Sequence, residues 1–130
     1  MTPVPTMKLK SRFPKLYDKI IGFSCGDGWY DLIHDLSIDL MCEIIKMPVA
    51  PSILKVWEHK GRLSYEIDLP VDGHLAIVKL TTEARKKSGN VCEFCGEKGF
   101  IRDDEYDKCM CKDCHDAYFG KLSQIGRAHV

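Results

Sequence analysis

The sequence has no apolar run near the ~20 residues that a membrane-spanning helix needs. Its opening stretch, MTPVPTMKLKSRFPK, carries charge with no apolar segment behind it, so no export signal is expected and a reducing, intracellular setting follows. Neither sign of charge is in excess, since 19 Lys and Arg balance 19 Asp and Glu. Binding to a phosphate backbone along the whole protein needs a basic surface, and this balance argues against it. Repeats and low-complexity tracts are also missing. At 130 residues that leaves one domain, or one domain with a small appendage, with enough chain to bury a core unaided. Basic residues gather only near the start, at Lys8, Lys10, Arg12, Lys15 and Lys19. The expected reading is a solvated, flexible arm over 1–12. Residues 125–130, IGRAHV, match the translation of a common sequencing adapter, so they are expected to be an artefactual tail and carry no part of the reading.

What is present divides into a body at 13–90 and a cysteine-rich segment at 91–124. FPKLYDKII at 13–21 has the spacing of a short helix, and GFSCGDG breaks it. Asp27 is placed to cap a long amphipathic helix from about Gly28 to Lys46, whose apolar face runs from Trp29 to Ile45. Asp31, Asp35, Asp39 and Glu43 form an acidic stripe on its solvated side. Two prolines in MPVAPS stop it. The alternation of Leu54, Val56, Leu63, Tyr65, Ile67 and Leu69 predicts a β-hairpin turning at Lys60-Gly61. Residues 74–87 read as a second helix closed by Gly89-Asn90, with a strand at LAIVKL as the competitor.

The seven cysteines are better suited to metal or free thiols than to disulfides in that setting. CEFC at 92–95 and CKDC at 111–114 are two Cys-x2-Cys pairs with the separation of a four-thiolate zinc site. Each pair makes a tight knuckle that turns two sulfurs toward one ion, and Gly96 supplies the backbone freedom that follows a knuckle. The intervening residues are long enough for a hairpin with Asp103-Asp104 near its tip. KDCHDAYFGKL then predicts a helix, with Cys111 and Cys114 at its favourable N-terminus. Cys92, Cys95, Cys111 and Cys114 are therefore the expected ligands of one structural Zn2+, with Cys109 and His115 outside the shell. A haem c attachment at CKDCH and a redox pair at Cys92/Cys95 rank below it. The first needs export and leaves Cys92 and Cys95 unexplained; the second lacks its βαβ setting. Four thiolates leave the metal no open position, and neither a His-Glu-x2-His nor a deaminase pattern is present. The segment 91–122 carries eight acidic residues against five basic, so nucleic acid is a secondary partner at most.

Three stretches in order, CGDGWYDLIHDL, VWEHKGRLSYEI and CEFCGEKGF…CKDCHDAY, resemble a family of small phage and prophage proteins with a Gly-Trp-led helix, a Lys-Glu-Lys-Phe-Gly-like hairpin and a C-terminal zinc knuckle pair. The resemblance covers about residues 22–120. It is clearest at Gly28-Trp29, Leu32-Ile33 and the four cysteines, and partial in the hairpin, where Trp57 and Ser64 replace basic residues. It implies a viral source, a host bacterial cytoplasm and a zinc ribbon, but no activity.

The expected fold is α+β: a long amphipathic helix on a small antiparallel sheet, with a treble-clef-like zinc ribbon. The expected function is that of a non-enzymatic binding protein that counters host antiviral defence by sequestering a nucleotide-derived immune signal. By class-level analogy, such small phage proteins serve in that role. The ligand residues would be Gly28 and Trp29 at the helix start, with Lys55, Trp57, His59, Arg62 and Tyr65 on the hairpin. Trp29 and Tyr65 also read as core residues. The alternative is a zinc-ribbon adaptor that binds a host defence protein or nucleic acid. Hydrolysis of the signal ranks third, because His34, Asp35, His59 and His74 show no diagnostic spacing. No membrane partner is expected, and homodimerisation stays open.

Overall fold

A computed structural model describes residues 1–69, 74–102 and 107–119. The fold is α+β. Two helices open the chain, α1 (Pro3–Arg12) and α2 (Pro14–Tyr17), followed by a two-residue strand β1 (Phe23–Ser24). A 3₁₀ turn at Asp27–Trp29 leads into α3 (Tyr30–Ile44), then the hairpin β2 (Ser52–His59) and β3 (Arg62–Asp68). Helix α4 (His74–Ser88) leads to the small strands β4 (Phe100–Ile101) and β5 (Cys109–Met110) and a last helix, α5, at 112–119.

The main sheet has the order β1-β2-β3, with β1 parallel to β2 and β3 antiparallel to it. It is therefore mixed, and not the purely antiparallel sheet that the hairpin alone predicts. A two-residue parallel strand has no alternation of its own to give it away. The hairpin turns where expected: Lys60 and Gly61 both take positive φ, 50° and 82°, which matches the two-residue turn preferred between right-twisted strands. A register shift between Ile53 and Lys55 breaks the simple alternation. It sends Ile53 inward and leaves Leu54, expected inside, 49% exposed.

Residues 1–12 are not a flexible arm. Pro3 and Pro5 suit the first turn of a helix, where no N–H partner is lost, and Lys10 and Arg12 suit its last turn. Leu9 is fully buried and anchors α1. Asp27 does not cap α3, which has no side-chain cap. Its carboxylate instead accepts hydrogen bonds from the backbone N–H and hydroxyl of Thr2, at 2.7 and 2.8 Å, tying α1 to the loop before α3.

The core lies between the helices and the inner face of the sheet: Leu9, Leu16, Tyr17, Trp29, Ile33, Leu40, Ile53, Val56, Leu63 and Ile77 are each at most 2% exposed. Helix α3 turns Ile33, Leu36, Leu40 and Ile44 inward, as its period requires, while Ile45 remains 74% exposed. Tyr17, Tyr65 and Ser37 form a polar thread through this core, with Tyr17 Oη 2.6 Å from Ser37 Oγ and 2.8 Å from Tyr65 Oη. Helix α4 forms in place of the competing strand. It ends on Ser88, whose buried hydroxyl accepts from Leu63 N–H and donates to Arg85 C=O. That one side chain satisfies the free edge of β3 and a terminal carbonyl of α4.

Candidate metal centre and its seam with the body

The metal site is built from two turns. In the first, Gly96 takes φ 82° and its N–H donates to Cys92 C=O at 3.0 Å, closing the knuckle under Cys92 and Cys95. In the second, Cys114 N–H points at Cys111 Sγ, 3.4 Å away, at the start of α5. The strands β4 and β5, paired Phe100 to Met110 and Ile101 to Cys109, bring the two turns together. Asp103 and Asp104, expected at the tip of this hairpin, lie outside the described residues.

Cys92, Cys95, Cys111 and Cys114 converge with all four sulfurs within 4.8 Å of one another, and Cys95 and Cys111 approach to 3.6 Å. A tetrahedral metal–thiolate site with bonds of ~2.3 Å sets sulfurs about 3.8 Å apart, so the four residues fit a metal ion. Burial opposes ionisation of Cys92. Backbone N–H groups of Cys111, Cys95 and Phe94 outweigh it and bring the thiol down to about 7. Burial holds the Cys114 thiol well up, helped by hydrogen bonds in which it shares protons with Cys111 and Cys95. Four thiols this close do not all ionise without a cation among them, and a divalent ion supplies that charge. Cys92 is buried, Cys95 is exposed, and the other two lie between.

Cys109 and His115 stand outside the cluster. The Cys109 thiol is buried and donates to Val91 C=O at 3.2 Å, and burial pushes it up to about 11. The His115 ring packs beside Phe119, with centroids 4.6 Å apart. Cys25 is a buried thiol, and Cys42, on α3, is exposed.

The ribbon is fastened to the body through Val91 and Glu93. Trp29 Nε1–H donates to Val91 C=O at 2.8 Å, Gly28 N–H donates to Glu93 C=O at 2.7 Å, and Gly26 N–H donates to the Glu93 carboxylate at 2.9 Å. The glycine loop before α3 thus faces an anion, and that anion is a side chain of the protein itself. Sequence reasoning expected a ligand in this position. The signal that could have corrected it is an acidic residue placed inside a metal knuckle. Burial raises the Glu93 carboxyl, against the pull of Lys108 3.8 Å away. Lys108 also pairs with Glu58 of β2 at 2.9 Å, so one ammonium bridges ribbon and hairpin. Gly28 is obligatory here: a Cβ on it would lie 2.5 Å from the Gly96 nitrogen and closer still to Cys92 C=O.

The seven expected ligand residues do not form one site. Gly28 and Trp29 belong to the seam, and Trp29 is fully buried. Trp57, His59 and Tyr65 line one groove of about 360 Å3, together with Thr81, Thr82 and Arg85 of α4. Lys55 lies beside it with its ammonium 4.6 Å from the Trp57 ring centre. Arg62 is opposite His59 in the hairpin but is not among the lining residues; the cation in the groove is Arg85. Arg85 was missed because the sequence gives no sign that α4 runs beside β3. His34 and Asp35 lie on α3, where His34 meets Arg12 at 2.9 Å, so they are not part of this groove. Compared with protein-family models, curated proteins and solved structures, the chain matches none.

Proposed function

We propose that the chain is a phage-encoded, zinc-stabilised binding protein that counters host defence in the bacterial cytoplasm by capturing a nucleotide-derived signal without chemical change. The observation that carries this reading is the groove between the hairpin and α4. An indole, an imidazole, two threonine hydroxyls and a guanidinium face one cleft of about 360 Å3. Its volume lies in the range of small-molecule sites. An aromatic face stacks a base, and Arg85 with the hydroxyls takes phosphate oxygens. Zinc is the proposed ion because four thiolates in a tetrahedral array suit it, and a filled thiolate shell gives it a structural role. The viral source rests on the resemblance carried by Gly28-Trp29, Leu32-Ile33 and the cysteines.

Native mass spectrometry with cyclic dinucleotides and ADP-ribose-derived signals tests the reading. The expected result is one zinc per chain plus an added nucleotide mass that denaturation releases intact. Trp57→Ala removes a stacking platform worth about 1–3 kcal/mol, and Arg85→Ala removes a charge-assisted contact of about 1.5–3 kcal/mol. Each should weaken capture roughly tenfold or more at 1.4 kcal/mol per decade. A zinc-loaded protein that ignores the whole panel refutes capture. It would favour the adaptor reading, for which the ribbon's exposed pair Phe94 and Tyr118, with ring centres 6.1 Å apart, is the supporting feature.

A further inference from the structure

The balanced total charge hides a segregation. Residues 1–26 contain five basic side chains, Lys8, Lys10, Arg12, Lys15 and Lys19, and one acidic, Asp18, so the remainder of the chain is acidic by the same margin. With α1 folded, Lys10 and Lys19 of this set lie beside aliphatic side chains that the core does not use. Ile21 is 100% exposed, Val4 63%, Met7 67% and Leu54 49%. Ile21 and Leu54 are contiguous. Thr6, Lys19, Ile21, Leu54 and Lys55 line one open cleft of about 620 Å3 between α1 and the β1–β2 edge. Lys10 Nζ reaches Ile21 C=O at 3.5 Å, joining α1 to the Ile21 loop. Val4 and Met7 lie one turn apart on the exposed side of the same helix.

We propose that this face docks on an anionic lipid bilayer, with Ile21 and Leu54 entering the headgroup layer and the surrounding lysines meeting lipid phosphates. The inference does not depend on the groove or its ligand. Among the described residues no helix is long and apolar enough to cross a membrane, and a surface-bound mode needs no such length. An isoleucine with no protein contact gains by leaving water, and lysines beside it gain from the negative surface potential of the leaflet. The cations at this cleft, Lys10, Lys19 and Lys55, are point charges that suit diffuse lipid phosphate. The aromatic residues of this segment, Phe13, Tyr17 and Phe23, are all buried, so the face offers nothing to stack a base and fits lipid better than nucleic acid.

Co-sedimentation of the full chain with vesicles tests it. Binding is expected to vesicles rich in phosphatidylglycerol and not to pure phosphatidylcholine, and to weaken as salt rises. Ile21→Asp should weaken binding at least tenfold with an unchanged melting temperature, because the side chain touches nothing. Lys19→Glu, a two-charge change near the leaflet, should weaken it by roughly 30-fold at about fivefold per charge. Equal binding to both vesicle types overturns the proposal, as does full retention of binding by Ile21→Asp. So does a wild-type chain that ignores vesicles and instead self-associates, or binds duplex DNA, through the same residues.

Discussion

The body and the ribbon are held by different physics. The body buries a continuous apolar core that runs from Leu9 through Trp29 and Ile33 to Ile77. Among the described residues of the ribbon that cluster takes in only Cys109 as a buried member, with Val91 and Ile101 packed against it, while Phe94, Phe100 and Tyr118 remain exposed. A metal held among the four thiolates would therefore replace a core in the ribbon, as it does in other modules too small to bury one. Beside those few apolar contacts the seam is held by polar ties: three hydrogen bonds to Val91 and Glu93, and the Lys108 bridge to Glu58. A protein built this way has two failure modes, one set by metal and one by hydrophobic burial.

Metal removal should separate them most sharply. Structural zinc contributes on the order of 10 kcal/mol to a small thiolate site. A strong chelator, or Cys92→Ser, is expected to unfold 91–119 while α3, α4 and the hairpin persist. Amide exchange should show fast exchange confined to the ribbon and the glycine loop. Full metal content and unchanged protection in Cys92→Ser would remove the metal assignment.

The next break falls on the seam. Gly28→Ala drives a methyl into backbone atoms of Cys92 and Gly96, neither of which can swing aside as a side chain would. A cost on the order of 3 kcal/mol is expected, with metal retained. The ribbon would then be intact but undocked, and Trp29 fluorescence should report the loss of its bond to Val91. An unchanged melting temperature would mean that the seam does not hold the two parts together.

These two experiments also mark what sequence can and cannot supply. The cysteine spacing, the period of α3 and the Lys60-Gly61 turn are local signals, and each states a geometry within a few residues of itself. Helix α4 was legible for the same reason, although a strand competed. The losses are non-local. Strand β1 exists only because β2 lies beside it, and Arg85 enters the groove only because α4 runs along β3. Asp27 has every property of a helix cap and is instead used by Thr2. The glycine loop does face an anion, but that anion is Glu93, 67 residues beyond Gly26 in the chain. Helix α1 is hidden because it buries a single apolar residue, Leu9, while Val4 and Met7 face solvent, leaving no apolar period to see.

The smallest effect belongs wholly to the body and should leave the metal untouched. Tyr65→Phe deletes one end of the Tyr17–Tyr65 hydrogen bond while Tyr17 keeps Ser37, so the cost at neutral pH is about 1 kcal/mol. Its distinctive signature lies in alkali. Burial pushes the Tyr17 hydroxyl up to about 12, and burial with the neighbouring Tyr17 raises Tyr65 well above its ordinary value. The unfolded chain titrates both near 10, so the folded state holds more protons than the unfolded state only above that pH. The stability these two groups contribute is therefore complete below pH ~10 and is lost as pH rises toward 12, at up to ~1.4 kcal/mol per pH unit for each tyrosine. Tyr65→Phe removes one titrating group and should flatten that decline, followed by the ultraviolet band of tyrosinate alongside the melting temperature. A chelated sample should show the same decline, since the tyrosines lie in the part of the molecule that apolar burial holds. A decline that disappears with the metal would mean that the body cannot stand without its ribbon.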